Sequence, residues 1–102
     1  MIHVVAEIHL APGALKFFLE EFHRLVPQVR AEDGCIEYIG AIDKATDVAA
    51  AAPHRKDLVT VVEKWRDVPS LDRHLVAHHM LVYRKRTADL IRTVTVHVME
   101  GV

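Results

Sequence analysis

Three of the chain's eight histidines fall within seven positions, HLVAHHM at 74–80. His74 and His78 stand four apart, the spacing that aims two imidazoles on one helical face at a single metal ion. A catalytic zinc site takes about three protein ligands, and only two are local; His3, His9 or His97 would have to supply the third, and no spacing requires it. Acid–base chemistry asks for less. A neutral imidazole with an ordinary pKa of about 6.5 abstracts protons at physiological pH without a metal. The alternative without chemistry is a set of half-buried histidines bonded to backbone carbonyls.

Other residues invite the same double reading. Glu63 and Trp65 share one face of VEKW (62–65). The carboxylate is either a proton-transfer group or half of an ion pair with a cation such as Arg92. The indole either stacks on an aromatic ligand or fills a core or an interface. Tyr38 and Tyr83 either orient a substrate hydroxyl or pack with the OH in water. His3, Glu7 and His9 alternate along the first strand and read as solvated or interfacial. The single cysteine, Cys35, cannot form an internal disulfide, and a reactive thiol needs an electropositive, exposed setting; it reads as packing. Arg84, Lys85 and Arg86 form the one basic run, read as a solvated helix face, with phosphate or acid-group binding as the alternative.

The elements that must position these residues follow from periodicity. IHVVAEIHL (2–10) alternates Ile2, Val4, Ala6, Ile8 and Leu10 against His3, Val5, Glu7 and His9, the period of a strand. Pro12 and Gly13 end it. Leu15, Phe18, Leu19, Phe22, Val26 and Val29 then recur at helical spacing, with Glu20 and Arg24 expected to pair on the wet side. Pro27 should kink or weaken that helix, which is expected to end near Asp33 and Gly34. CIEYIGAID (35–43) reads as a second strand, 46–57 as a loop, and DLVTVVEKW (57–65) as a third strand. Asp67 with Pro69 signals a helix start, with helical character from about Ser70 to Leu90 and a possible break near His78; IRTVTVHVM (91–99) alternates as a last strand.

The order β-α-β-β-α-β predicts an α+β fold, the ferredoxin-like split β-α-β arrangement of a four-stranded antiparallel sheet with helices on one face. The other face is left uncovered. In the last strand it receives either Thr93, Thr95 and His97 or Arg92, Val94, Val96 and Val98, and a homodimer burying sheet against sheet is expected.

Bulk properties narrow the classes. At 102 residues, 51% hydrophobic and 26% charged, the chain fits one soluble globular domain, 1–102. A formal net charge of −1 argues against nucleic acid as a partner. No apolar run approaches the ~20 residues of a membrane span, and no signal-peptide pattern opens the chain; a cytoplasmic location is expected.

VVAEIHLAPG (4–13), EDGCIEY (32–38), VEKW (62–65) and LDRHLVAHHM (71–80) together resemble the antibiotic biosynthesis monooxygenase family, and most closely its small quinol monooxygenase branch. The resemblance runs nearly end to end. Its most specific part is a strand closing in Glu-x-Trp followed by a helix reading Leu-x-x-His-Leu-x-x-Pro-His-Met, in which His78 here replaces the proline. The resemblance implies a ferredoxin-like subunit that dimerises into an αβ barrel with a pocket in each subunit. It implies oxidation of quinols or related phenolic aromatics by O2 with no cofactor and no metal. Trp65, Glu63, His74 and His79 match the family's tryptophan, acid and two helical histidines, giving His74, His79 and Glu63 as catalytic and Trp65 and Tyr83 as substrate-binding. A deprotonated dihydroxy-aromatic is electron-rich enough to reduce O2, so the protein supplies a base and a dry pocket.

Departures from the pattern sharpen the expectation. Val61 and Leu71 stand where the anthrone-oxidising branch has a polar residue and a tyrosine, and Ile8 where haem-degrading relatives have an asparagine. A proton-transfer isomerase of a small phosphorylated metabolite, using the same histidines and Arg84–Arg86, is the alternative enzyme reading. A non-catalytic dimeric barrel that holds an aromatic ligand is the other. On an unbroken helix His74 and His79 would diverge by about 140°, so their convergence requires the helix to break. Proline would favour that break through the residue before it; with His78 in its place, packing must supply it.

Overall fold

The computed structural model describes all 102 residues. Seven elements follow one another: β1 (Ile2–Leu10), α1 (Leu15–Arg30), β2 (Cys35–Ala41), β3 (Leu58–Trp65), α2 (Val68–Leu75), α3 (His78–Thr87) and β4 (Ile91–Glu100). The strands form one antiparallel sheet in the order β2-β3-β1-β4. This is the expected ferredoxin-like α+β arrangement, with the second helical segment divided in two.

Alternation decides which side chains meet the helices. Val4, Ala6, Ile8 and Leu10 of β1 and Val59, Val61, Glu63 and Trp65 of β3 are buried. From α1, Phe18, Phe22, Leu25 and Val29 lie over them, one residue per turn of the helix. The Phe18 and Phe22 rings stack at 5.9 Å, and Phe22 stacks on Tyr38 at the same distance. Each such ring removed from water contributes roughly 1.5–3 kcal/mol. Gly40 lies beneath Phe22, where a Cβ would sit 2.5 Å from the ring.

In β4 register with β1 resolves the open choice of faces. Val94, Val96 and Val98 pair with Ile8, Ala6 and Val4, so they point to the helical side. Thr93, Thr95, His97 and Met99 take the outer face beside His9, Glu7, Val5 and His3.

Several boundaries differ from expectation. The first helix runs through Pro27 and stops at Arg30, where a turn at 31–34 intervenes before β2. Arg24 bonds Glu21, three residues away at 2.7 Å, rather than Glu20. The second strand stops at Ala41, and 42–57 has no regular structure. Asp67 caps α2 as expected, and the helix begins at Val68, two residues before Ser70: the Asp67 carboxylate accepts from the Ser70 N–H at 2.9 Å and from the Ser70 hydroxyl at 2.6 Å.

The helix breaks, and without proline. Ala77 is extended (φ −61°, ψ 144°) and caps α3, its carbonyl accepting from Met80 at 3.0 Å and Leu81 at 3.1 Å. The buried stripe of α2 is Ser70, Leu71 and His74; continued at 100° per residue it would return at 78, 81 and 85. The buried residues of α3 are instead Met80, Tyr83 and Thr87. Two non-helical residues shift the phase by two, which brings Met80 and Tyr83 to the core and leaves His78 exposed.

Candidate active site

His74 projects from the last turn of α2 into the layer between helices and sheet and is 2% exposed. Trp65, at the end of β3, lies against one side of its ring with centroids 4.6 Å apart, and Tyr38 meets it edge-on at 5.6 Å. The two aromatic contacts leave the imidazole little freedom to turn.

Its nitrogens face different ways. Nδ1 lies 2.8 Å from Glu32 Oε2, while Nε2 faces Glu63, with Oε1 at 4.0 Å. The same Glu32 oxygen lies 2.8 Å from His79 Nε2. One ionised carboxylate oxygen accepts from both imidazoles only if His74 carries its proton on Nδ1 and His79 on Nε2. That tautomer leaves a lone pair on His74 Nε2, facing Glu63. Burial holds His74 below its usual pKa, opposed by the Glu32 carboxylate and assisted by the charges of His79 and Arg84.

Glu32 is the member that sequence reasoning missed. It sits in the turn at 31–34, whose shape depends on Gly34 at φ +86°. A Cβ there would also meet Ser70 Oγ at 2.2 Å. The Gly34 carbonyl accepts from the Arg66 N–H at 2.9 Å, and the Arg66 side chain clamps Asp33 through two bonds of 3.0 and 3.1 Å. The turn is thereby fixed against the start of α2, and Glu32 against both histidines.

Glu63 is bonded to Trp65 rather than to Arg92: the indole N–H donates to Oε1 at 2.9 Å. Burial, helped by the nearby Glu32 charge, pushes its carboxyl up to about 7, against the indole bond. Tyr38 and Tyr83 are raised by burial and stay protonated at neutral pH. Cys35 is raised by burial and by Glu32, a setting for an inert thiol.

A cavity of about 290 Å³ opens in front of His74 and Glu63, close to the lower end of small-molecule sites at about 300 Å³. Its wall is built from the inner faces of all four strands, from Leu71, His74 and Leu75 of α2, and from Met80, Tyr83 and Arg84 of α3. Thirteen of sixteen wall residues are hydrophobic, which leaves Glu63, His74 and Arg84 to carry its charge chemistry. The helices do not reach over β4: Val94, Val96 and Val98 are 50–54% exposed, and the cavity is open on that side.

His74, Glu63 and Tyr83 therefore share one cavity. Trp65, expected to stack on a ligand, is absent from the wall and 0% exposed, because its ring is taken up by His74 and its N–H by Glu63. His79 meets His74 through Glu32 but lines a shallow surface groove with Glu21, Arg24 and Arg86. His74 and His78 lie on different helices, and no three His, Cys, Asp or Glu side chains converge in a metal-binding group. Arg86 is held by Glu21 at 2.9 Å, away from the cavity, so the basic run does not act as one cationic site.

The profile of the family described as Antibiotic biosynthesis monooxygenase matches residues 1–86. "Probable quinol monooxygenase YgiN" of Escherichia coli is 29% identical over 104 residues, covering 98% of this chain and 97% of that protein. The crystal structure of PA3566 from Pseudomonas aeruginosa superposes with a TM-score of 0.83 at 28% identity, over 99% of this chain and 93% of that one. Rv0793 from Mycobacterium tuberculosis gives 0.80 at 25% identity, over 99% and 94%. The chain belongs to the antibiotic biosynthesis monooxygenase family, and its relatives support a monooxygenase-type function.

Proposed function

We propose that this member of the antibiotic biosynthesis monooxygenase family oxidises a quinol or related phenolic aromatic with O2, with His74 as the base. The observation that carries the reading is the Nδ1–Glu32 hydrogen bond of 2.8 Å, which leaves Nε2 unprotonated at the wall of a largely apolar cavity. A carboxylate that orients an imidazole also stabilises the imidazolium formed when it takes a proton, a logic shared by many His-dependent sites.

In the proposed reaction Nε2 removes the phenolic proton. The phenolate gives one electron to O2, and the resulting aryloxyl radical and superoxide combine at a ring carbon bearing hydrogen. The peroxide takes back the proton from His74. Loss of water, with the ring hydrogen, leaves one oxygen as a carbonyl. Apolar walls favour the neutral phenol over water in the resting site and strengthen the charge interactions once the phenolate forms. Glu63, poised between its two protonation states, serves the second hydroxyl, and Trp65 positions it. His79 acts on His74 through their shared carboxylate.

The whole chain, 1–102, is read as one such domain, since β4 lies beyond the matched residues and closes the sheet. The outer face, with Val5, Ile39, Val62 and Met99 among its polar residues, is read as the surface a second copy covers in a homodimer. No helix is long and apolar enough to cross a membrane, and a cytoplasmic location is part of the same proposal.

The test is aerobic incubation of metal-free protein with a panel of hydroquinones, following O2 uptake. Uptake well above a His74→Gln control supports the reading. Ligand binding without uptake under air would instead support the non-catalytic barrel.

A further inference from the structure

The basic run 84–86 is divided by the fold. Arg86 is taken by Glu21 and Lys85 is exposed, whereas Arg84 alone belongs to the cavity wall. Arg24, Arg55, Arg66, Arg73 and Arg86 are each held by an aspartate or glutamate. Arg84 pairs with none. It is exposed, and it borders the apolar interior. Its charge reaches the polar end, since it disfavours protonation of His74 and favours ionisation of Tyr83.

An unpaired guanidinium at the rim of an otherwise apolar cavity selects ligands by charge. A carboxylate matches its planar fork through two parallel hydrogen bonds. Arg86, the other guanidinium of the run, is already engaged by Glu21, so an acid group at this rim meets a single guanidinium. Glu63 is the one carboxyl group in the wall, and it is bonded to Trp65.

We propose that Arg84 binds the acid group of the substrate, so that the natural substrate is an aromatic hydroxy acid: its phenolic hydroxyl faces His74 and its carboxylate meets Arg84 at the rim. The assignment rests on the cavity being a phenol site, as proposed above. It adds a charge requirement that a quinol monooxygenase need not have.

The test compares 2,5-dihydroxybenzoate with neutral hydroquinone, binding measured by calorimetry at pH 8 without O2 and turnover measured separately as O2 uptake. In the wild type the acid should bind about tenfold more tightly, the effect of one charge-assisted pair near the surface. The advantage should disappear in Arg84→Gln, survive in part in Arg84→Lys, weaken with added salt, and persist in Arg86→Gln. Equal affinity for the two ligands, binding of neither, or a preference that survives Arg84→Gln would overturn the assignment. The two readings fail separately. A preference for the acid without turnover of either ligand supports Arg84 and rejects the oxidation, while turnover of both without preference rejects Arg84 alone.

Discussion

The molecule contains two clusters in which carboxylates meet nitrogen donors, in opposite surroundings. On the outer side, Arg55 bonds Asp43 at 2.9 and 3.1 Å and also meets Glu7, with the arginine side chain about half exposed. On the inner side, Glu32 binds His74 and His79 at 2.8 Å, with His74 all but sealed from water. The bond lengths barely differ. In the outer cluster the Arg55 guanidinium holds Asp43 below the usual carboxylate range. In the inner region burial opposes charge, so that Glu63 is pushed up to about 7 and His74 is pushed down. Solvent exclusion, more than hydrogen-bond length, separates a surface clamp from a site poised for proton transfer.

Substitutions can break this contrast, beginning with the largest effect. His74→Gln keeps the bulk of the ring's neighbours but removes the proposed base, and O2 uptake should fall about 10²–10⁴-fold. Should it fall less than threefold, proton abstraction belongs elsewhere.

Glu32 and His79 should then act on His74 with opposite signs. The proposed reaction needs neutral His74, so activity should rise as pH passes upward through the His74 pKa. The imidazole is faced by Glu32, Glu63, His79 and Arg84. Glu32→Gln removes the group that favours the imidazolium, so the rising limb moves to lower pH while the plateau drops about tenfold or more. His79→Gln removes a competing cation, so the limb moves to higher pH with a smaller change in plateau. A pH–rate profile in which both substitutions move the limb in the same direction would contradict the shared-carboxylate geometry.

Glu63 provides a stability test of the buried cluster. Its folded pKa lies above its unfolded one, so the stability it contributes is fully present below about pH 4.5 and is lost as pH rises through about 7. Glu63→Gln keeps an acceptor for the Trp65 N–H and cannot ionise. It should raise the unfolding free energy at pH 8 by an amount on the order of 1–3 kcal/mol, and leave it nearly unchanged at pH 4.5. The smallest effect should come from Arg55→Gln, with activity unaltered and stability within experimental scatter. A large loss there would erase the contrast between the clusters.

Much of the scaffold was legible because its signals are local. Alternation identified β1 and β3, and the Phe18–Val29 stripe identified α1, since each pattern is decided by neighbours within a few residues. The faces of β4 were not decidable, because its alternation is clean but only pairing with Ile8, Ala6 and Val4 fixes which side is inward. The helix break was anticipated from the need to bring His74 and His79 together, yet its cause, Ala77 in extended geometry and the two-residue phase shift, lies in tertiary packing. Glu32 illustrates the limit for sites. It stands 42 and 47 positions from its histidines, in a turn with no periodicity, and one Glu before an Asp-Gly turn carries no signal of what it will meet. Trp65 shows the converse: a motif residue singled out by resemblance, whose placement behind Glu63 and His74 needed the fold.

The central claim, that Glu32 holds His74 as a base facing the cavity, can be read directly from the ionisation of a bound chromophoric phenol. A nitrophenol absorbs at longer wavelength as the phenolate, so its spectrum reports the proton without any reaction with O2. Titrated while bound to saturating protein, the nitrophenol should give its phenolate spectrum at a pH at least about one unit lower in the wild type than in His74→Gln. A bound ligand that stays neutral in the wild type, or ionises equally well in His74→Gln, would contradict the claim.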